Sequence, residues 1–340
     1  MVTKPKPEAS PGAEAAATAP QQASWTRHHL LDVDDLSREE LTLLLETAAG
    51  MEEVLHRRVA RTPALRGVTI FNLFYESSTR TRSSFELAGK VLGADVINMA
   101  GSGSSVDKGE SLVDTVRTLQ AIGGHVLVMR HPSSGAPYLA AQHTEAHVVN
   151  AGDGIHAHPT QALLDAYTIQ KALGTLDGKR VCIVGDVLHS RVARSNIWAL
   201  TTLGASVTLV GPPTLLPPGL ATIDEPTPHP MALPAVTIEH DFDRAIAGAN
   251  VVMALRLQHE RMRSAYLPSL REYAQRYQIT TERLAHAADD AIVMHPGPMN
   301  EGVEIAPDVA HGLSSQVDQQ VQHGVAMRMA VLYLLARNTA

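Results

Sequence analysis

The run from Phe71 to Phe85, Phe-Asn-Leu-Phe-Tyr-Glu-Ser-Ser-Thr-Arg-Thr-Arg-Ser-Ser-Phe, takes the chain from an apolar segment straight into hydroxyls and guanidiniums. Upstream, residues 68–74 have the β-branched and aromatic content of a buried strand. Downstream, residues 84–92 carry apolar groups at helical spacing until Gly93 ends them. The junction, residues 77–81, is therefore expected at a helix N-terminus. Unpaired backbone N–H groups and the positive end of the helix dipole favour an anion at such a place. Ser78, Thr79 and Thr81 add hydroxyl donors, and Arg80 adds a planar fork that matches phosphate oxygens. The same residues would also make an N-capped helix with a solvated basic turn. Four hydroxyls and two arginines crowded into one junction favour phosphate.

Length and charge narrow the classes. At 340 residues two domains are the default, with ample chain to bury their cores. The net charge of −7 comes without a block of like charges, which fits small anions gathered by local arginines and not sequence-independent binding of nucleic acid. Cys182 is the only cysteine, so a disulfide framework and a thiolate zinc site are excluded; in Val181-Cys-Ile-Val184 it reads as a small buried hydrophobe. No apolar run approaches the roughly 20 residues that span a bilayer. The first 24 residues, rich in Ala, Pro and Gln, lack the apolar core of a secretory signal. They are expected to form a disordered tail, and the cytoplasm is the expected location.

Beyond the tail, Ser37-Arg-Glu-Glu40 has capping-box spacing, and Leu41, Leu44, Leu45 and Ala48 follow on one helical face. A strand over residues 95–99 leads to the Gly- and Ser-rich loop 101–109, in which Ser104 and Lys108 read by residue type as solvated. A helix over 110–122 and a strand over 125–129 bring Arg130 to a strand end, where ligands of open α/β sheets gather. A surface salt bridge would suit a lone arginine equally well. His156 and His158 have no Cys or carboxylate at ligand spacing to complete a metal site. Pro159 instead starts a helix to about residue 172, with His158 and Gln161 aimed at a ligand before it.

Strand, helix and strand recur over residues 180–185, 192–203 and 206–210. The turn Gly185-Asp-Val-Leu-His-Ser190 lacks G-x-G-x-x-G, so a dinucleotide fingerprint is absent. After an irregular Pro-rich stretch over 211–234, a short helix over 243–249 and a strand over 251–254 reach Leu255-Arg-Leu-Gln-His-Glu-Arg261. Arg256 and Gln258 project to one side of an extended segment, as a fork and an amide for a carboxylate or as a charged loop with no ligand. A strand over 291–294 enters His295-Pro-Gly-Pro-Met-Asn300, a rigid, donor-poor turn with carbonyls free to accept from an amide. Residues 316–336 close the chain as a helix, its apolar face assigned to Val317, Val321, Val325, Met329 and Leu332.

Five of these stretches, in order, resemble the aspartate and ornithine carbamoyltransferases over roughly residues 30–335. Ser78-Thr79-Arg80-Thr81-Arg82 with Ser84-Phe85-Glu86 is similar to the carbamoyl-phosphate signature, and His158-Pro159-Thr160-Gln161 to the H-P-x-Q motif whose His and Gln contact the carbamoyl group. Ser104 to Thr115 resembles a loop whose serine and lysine reach into the neighbouring subunit's active site. His189 to Ser195 resembles the segment whose arginine, here Arg191, holds an α-carboxylate. Arg256 and Gln258, with Lys108 assisting, are implied for the side-chain carboxylate, and Gly297 and Pro298 for carbonyls that orient the amide and border the aspartate site. Lys108, and the absence of the H-C-L-P that ornithine enzymes carry at this turn, point to the aspartate branch. One departure is Glu301, where bacterial aspartate enzymes have arginine close to an anion site.

The resemblance implies an α/β fold of two doubly wound domains with parallel sheets. Residues 25–158 would bind carbamoyl phosphate, completed by the C-terminal helix 316–336 packing back on them; 159–173 would link, and 174–315 would bind aspartate. It implies transfer of the carbamoyl group to L-aspartate in pyrimidine synthesis, without metal or organic cofactor, by a homotrimer with shared sites. Thr81, Arg130 and His158 would act on the carbonyl oxygen, and residues 78–81 with Ser104 and Lys108 on the phosphate. A regulatory chain or a dihydroorotase is the kind of partner such a chain admits. The alternatives are another amine acceptor, or a weakly active homologue serving as a scaffold.

Overall fold

The computed structural model describes residues 24–100, 110–220, 222, 224, 233–258, 266–337 and 339. The expected tail, apart from Ser24, and the loop 101–109 lie outside them. The first half comprises α1 (Arg38–Leu55), β1 (Thr69–Phe74), α2 (Thr79–Val91), β2 (Asp95–Ala100), α3 (Leu112–Ala121), β3 (Val126–His131), α4 (Ala136–Ala141) and β4 (His147–Asp153). Its strands form a parallel sheet in the order β2-β1-β3-β4. After α5 (Pro159–Leu173) come β5 (Arg180–Val184), α6 (Arg191–Thr202), β6 (Ser206–Val210), β7 (Thr237–Glu239), α7 (Phe242–Ile246), β8 (Val251–Ala254), α8 (Leu270–Tyr277), α9 (Thr281–Leu284), β9 (Ile292–Met294), α10 (Pro307–Ala310) and α11 (Val317–Ala336). The second sheet, also parallel, runs β7-β6-β5-β8-β9. This is the expected doubly wound α/β architecture.

Strand periodicity divides the core. Val126 and Val128 of β3 join an apolar cluster that also holds Val181 and Ile183 of β5 and Val251 and Met253 of β8, so it is shared by both sheets. The alternate residues turn the other way: Leu127 and Met129 pack over the far face of the first sheet, Cys182 and Val252 over that of the second. Burial pushes the Cys182 thiol up to about 12, the state of an inert thiol. No helix among the described residues is long and apolar enough to cross a membrane.

Helix α5 is buried along Pro159–Ile169 because it lies among α1, α6 and α11. Helix α11 packs back on α1, α2 and α5. Its inner face differs from the assigned apolar stripe: Val321 is 52% exposed, whereas Gln320, His323 and Arg328 are buried. Those polar groups find hydrogen-bond partners inside, so hydropathy alone misplaces the face. Short elements unforeseen in the sequence, β7, α8, α9 and α10, have three to eight residues. The strand β7 is placed by its pairing with β6, and α8 and α10 by the burial of Tyr273, Tyr277, Val309 and Ala310 in the second apolar cluster.

Both sheets reverse strand order beside their first strand. β1 lies between β2 and β3, and β5 between β6 and β8. Connections leave such a switch point in opposite directions and open a crevice at the carboxyl ends of the strands.

Candidate active site

The segments that follow β1, β3, β5, β8 and β9 line one cavity of about 740 Å³. Ser78, Thr79, Arg80 and Thr81 enter from β1, and Arg130 from the end of β3. His158 and Gln161 enter at the start of α5, Arg191 at the start of α6, Arg256 and Gln258 after β8, and Gly297 and Pro298 after β9. Ser104 and Lys108 lie outside the described residues. Glu301 is not among the lining residues; it is exposed, with Oε1 3.3 Å from His311 Nε2.

Helix α2 begins five residues before its apolar spacing does, because Ser78 caps it: Thr81 N–H donates to Ser78 Oγ at 3.4 Å. The cap turns residues 78–81 towards the cavity. Arg80 is exposed, and its desolvation on the cavity side together with the charge of Arg256 lowers its pKa. It rests on Gly297, which has φ +61°; a Cβ there would lie 2.7 Å from Arg80 Cζ. An arginine of the first half therefore depends on a glycine of the second for its space.

Glu76, unforeseen in the sequence, bridges two of the expected anion-binding arginines. Arg130 Nη2 donates to its Oε1 at 2.7 Å, and Arg191 Nη2 donates to the same oxygen at 2.5 Å. Burial pushes the Glu76 carboxyl upward, but the bonds and charges of Arg191 and Arg130 outweigh it and leave the pKa below the ordinary value. Arg191 Nη1 also donates to Gly154 O at 3.1 Å, and its guanidinium lies against Gly152, where a Cβ would stand 3.0 Å from Cζ at φ +117°. Five arginines and this one carboxylate are the charged groups of the lining, so the cavity is strongly cationic among the described residues.

His158 and His156 face different ways. His156 Nδ1 lies 3.1 Å from Asp153 Oδ2, whereas His158 is 4% exposed and lines the cavity. Its backbone N–H donates to Ser195 Oγ at 2.9 Å, and its buried Nδ1 has no hydrogen-bond partner among the described residues. Burial, then the charges of Arg130, Arg191 and Arg328, hold its pKa well below the usual value, so the ring is neutral. Gln161 Nε2 donates to Asp165 Oδ1 at 3.0 Å. That leaves the Gln161 carbonyl as an acceptor for a ligand amide. Burial raises Asp165 to about 6 against the bonds it accepts from Asn196, Gln320 and Gln161.

Arg328 also escaped the sequence reading, since it sits among apolar residues of α11. Its Nη1 donates to Gly324 O at 3.0 Å and its guanidinium lies 5.2 Å from the Phe85 ring centroid. Burial, opposed by Asp165, pulls its pKa down to about 10.

A family model for the carbamoyl-P binding domain of aspartate/ornithine carbamoyltransferases matches residues 28–171, and one for the Asp/Orn binding domain matches 177–335. The aspartate carbamoyltransferase catalytic subunit of Roseiflexus sp. (strain RS-1) is 57% identical over 310 residues, covering 91% of this chain and 95% of that relative. That of Chloroflexus aurantiacus is 56% identical over 310 residues, covering 91% and 98%. Among solved structures, aspartate transcarbamoylase from Trypanosoma cruzi in complex with carbamoyl aspartate and phosphate has a TM-score of 0.80 at 31% identity, covering 94% of this chain and 99% of that one. Ornithine carbamoyltransferase from Pyrococcus furiosus has a TM-score of 0.78 at 27% identity, covering 92% and 98%.

Proposed function

The chain belongs to the aspartate/ornithine carbamoyltransferase family, and on that premise we propose that it transfers the carbamoyl group of carbamoyl phosphate to L-aspartate, giving N-carbamoyl-L-aspartate and phosphate. One observation carries the reading: a single cavity holds both the anion turn of residues 78–81 and a separate set of carboxylate-matching groups, Arg191, Arg256 and Gln258.

In the reaction the aspartate amine attacks the carbamoyl carbon, a C–N bond forms, the C–O bond to phosphate breaks, and the amine proton leaves with the phosphate. Negative charge grows on the carbonyl oxygen and on the leaving group. Thr81, Arg130 and the neutral His158 are assigned to the carbonyl oxygen as donors already in place. Ser78, Thr79, Arg80 and Thr81 are assigned to the phosphate, together with Ser104 and Lys108. The Gln161 carbonyl and the Gly297–Pro298 turn accept from the amide, which sets the carbamoyl plane. Arg191, Arg256 and Gln258, with Lys108, hold the two carboxylates and so direct the amine. Positioning and electrostatics supply most of the rate in this scheme.

The proposal extends to a cytoplasmic homotrimer in de novo pyrimidine biosynthesis, with Lys108 completing a neighbour's site. A colorimetric assay of purified chain with carbamoyl phosphate and either L-aspartate or ornithine tests the reaction. Product with aspartate alone is expected; product with ornithine alone, or none, sinks the assignment. A mass of three chains by light scattering checks the trimer in the same preparation.

A further inference from the structure

Glu304 is 1% exposed and does not line the cavity, yet four donors converge on its carboxylate. Oε1 accepts from Leu257 N–H at 2.6 Å and from Asn300 Nδ2–H at 2.7 Å. Oε2 accepts from His295 Nε2–H at 2.9 Å and from Asn300 N–H at 3.0 Å. The tautomer follows from the other side of the ring: His295 Nδ1 accepts from Gly297 N–H at 2.8 Å, so the ring proton is on Nε2. Burial works against the charge, but these bonds outweigh it and Glu304 is held below the ordinary carboxylate range.

The donors are informative. Leu257 lies between Arg256 and Gln258, and Gly297 precedes Pro298; all four of these flanking residues line the cavity. One carboxylate thus fixes the backbone of the 256–258 segment directly and that of the 295–298 turn through His295. The chain of bonds then continues into the first half of the molecule. His295 N–H donates to Gln320 Oε1 at 2.9 Å, Gln320 Nε2 donates to Asp165 Oδ1 at 2.7 Å, and the same oxygen takes the Gln161 amide. Glu304, His295, Gln320, Asp165 and Gln161 are all buried, so a partner lost along this chain leaves an unsatisfied group behind.

We propose that Glu304 is a positioning residue for the amine acceptor, setting Arg256 and Gln258 relative to Gln161 through this buried chain of hydrogen bonds. The inference rests on the transfer reaction proposed above and deepens it. Only a carboxylate serves four donors with two oxygens. A glutamine has one acceptor oxygen and turns an NH₂ towards two of the donors, which displaces either the 256–258 segment or His295.

The test is steady-state kinetics of Glu304→Gln with both substrates varied. The KM for L-aspartate is expected to rise about tenfold or more, since small misplacements of binding groups cost that much, and by more than the KM for carbamoyl phosphate, whose 295–298 turn Glu304 reaches only through His295. Should Glu304→Gln fail to fold, Glu304→Asp carries the same test, because it keeps both oxygens and draws them back by one methylene. Gln320→Met, which cuts the chain nearer Gln161, is expected to raise both KM values. An aspartate KM unmoved in Glu304→Gln, or one that rises no more than the KM for carbamoyl phosphate, overturns the proposal. Absence of turnover in the unaltered chain would sink the transfer reaction and this inference with it, and so is distinguishable from failure of the variant alone.

Discussion

The turn after β1 and the segment after β8 line the same cavity, but the first is held by its neighbours in sequence and the second by residues far along the chain. Ser78 caps α2 through Thr81, three positions on. Leu257 is pinned by Glu304, separated by 47 positions, and Gln258 N–H donates to Asp186 Oδ2 across a separation of 72. The chemistry explains the contrast. A phosphate can be bound by backbone N–H groups that any capped helix start supplies, so its site can be local. Recognising two carboxylates at a set spacing needs guanidiniums that are far apart in sequence to be held in register, and only long-range bonds do that.

The largest expected effect falls on the two arginines assigned to the carbamoyl phosphate. Arg80→Ala and Arg130→Ala should each cost at least ~10²-fold in turnover, the scale of removing a preorganised donor from a developing charge. Near-native turnover in both would erase the assignment of Arg80 to the phosphate and of Arg130 to the carbonyl oxygen.

Two glycines test where the halves touch. A Cβ at Gly297 would stand 2.7 Å from Arg80 Cζ, and one at Gly152 would stand 3.0 Å from Arg191 Cζ. Gly297→Ala should therefore lower kcat/KM for carbamoyl phosphate by about tenfold, and Gly152→Ala should act chiefly through the aspartate KM, given the sensitivity of rate to misplaced groups. Both positions have positive φ, so each alanine should also cost about 1–3 kcal/mol in urea melts. If Gly152→Ala altered carbamoyl phosphate saturation and left that of aspartate alone, the division between the two sets of anion-binding groups would be wrong.

The smallest effect concerns pH. The folded protein keeps His158 neutral well below the pKa it has when unfolded, so the unfolded chain takes a proton that the folded one refuses. Stability from this group is complete above about pH 6.5 and is lost as pH falls towards the depressed value, by at most ~1.4 kcal/mol per pH unit. His29, held down to about 4 by burial and by His28 and His147, adds in the same direction. Denaturant melts from pH 7.5 to 5 should show a shallower loss in His158→Gln than in the unaltered chain; equal slopes would mean that the imidazole is charged when folded.

The capping box at Ser37, the strands of both sheets apart from β7, and the helix start at Pro159 were legible because each rests on residues within about four positions of one another. Of the expected site residues among those described, the hydroxyl and guanidinium turn of residues 78–81 was legible by type, whereas residue type left Arg130, Arg256 and Gln258 open and Arg191 came from the family resemblance; the structure brings them onto one cavity. Glu76 was not, although it stands two residues from Ser78, because nothing in spacing tells whether a carboxylate faces water or two arginines. Arg328 was hidden by its apolar surroundings in α11, and Gln320 by a largely polar run, Asp318 to His323, in which it reads as solvated.

By itself the sequence determined the alternation of strand and helix, the capped anion turn and the kinds of side chain available for a dianionic pair of reactants. Tertiary structure decided which of those side chains meet, which arginines share Glu76, and that Glu304 binds the backbone of one half while its bond chain ends on Gln161 of the other. The division has a physical cause. Local hydrogen bonds and periodic burial are written within a few residues, whereas the partner of a buried polar group exists only once the chain has closed and removed water as the alternative.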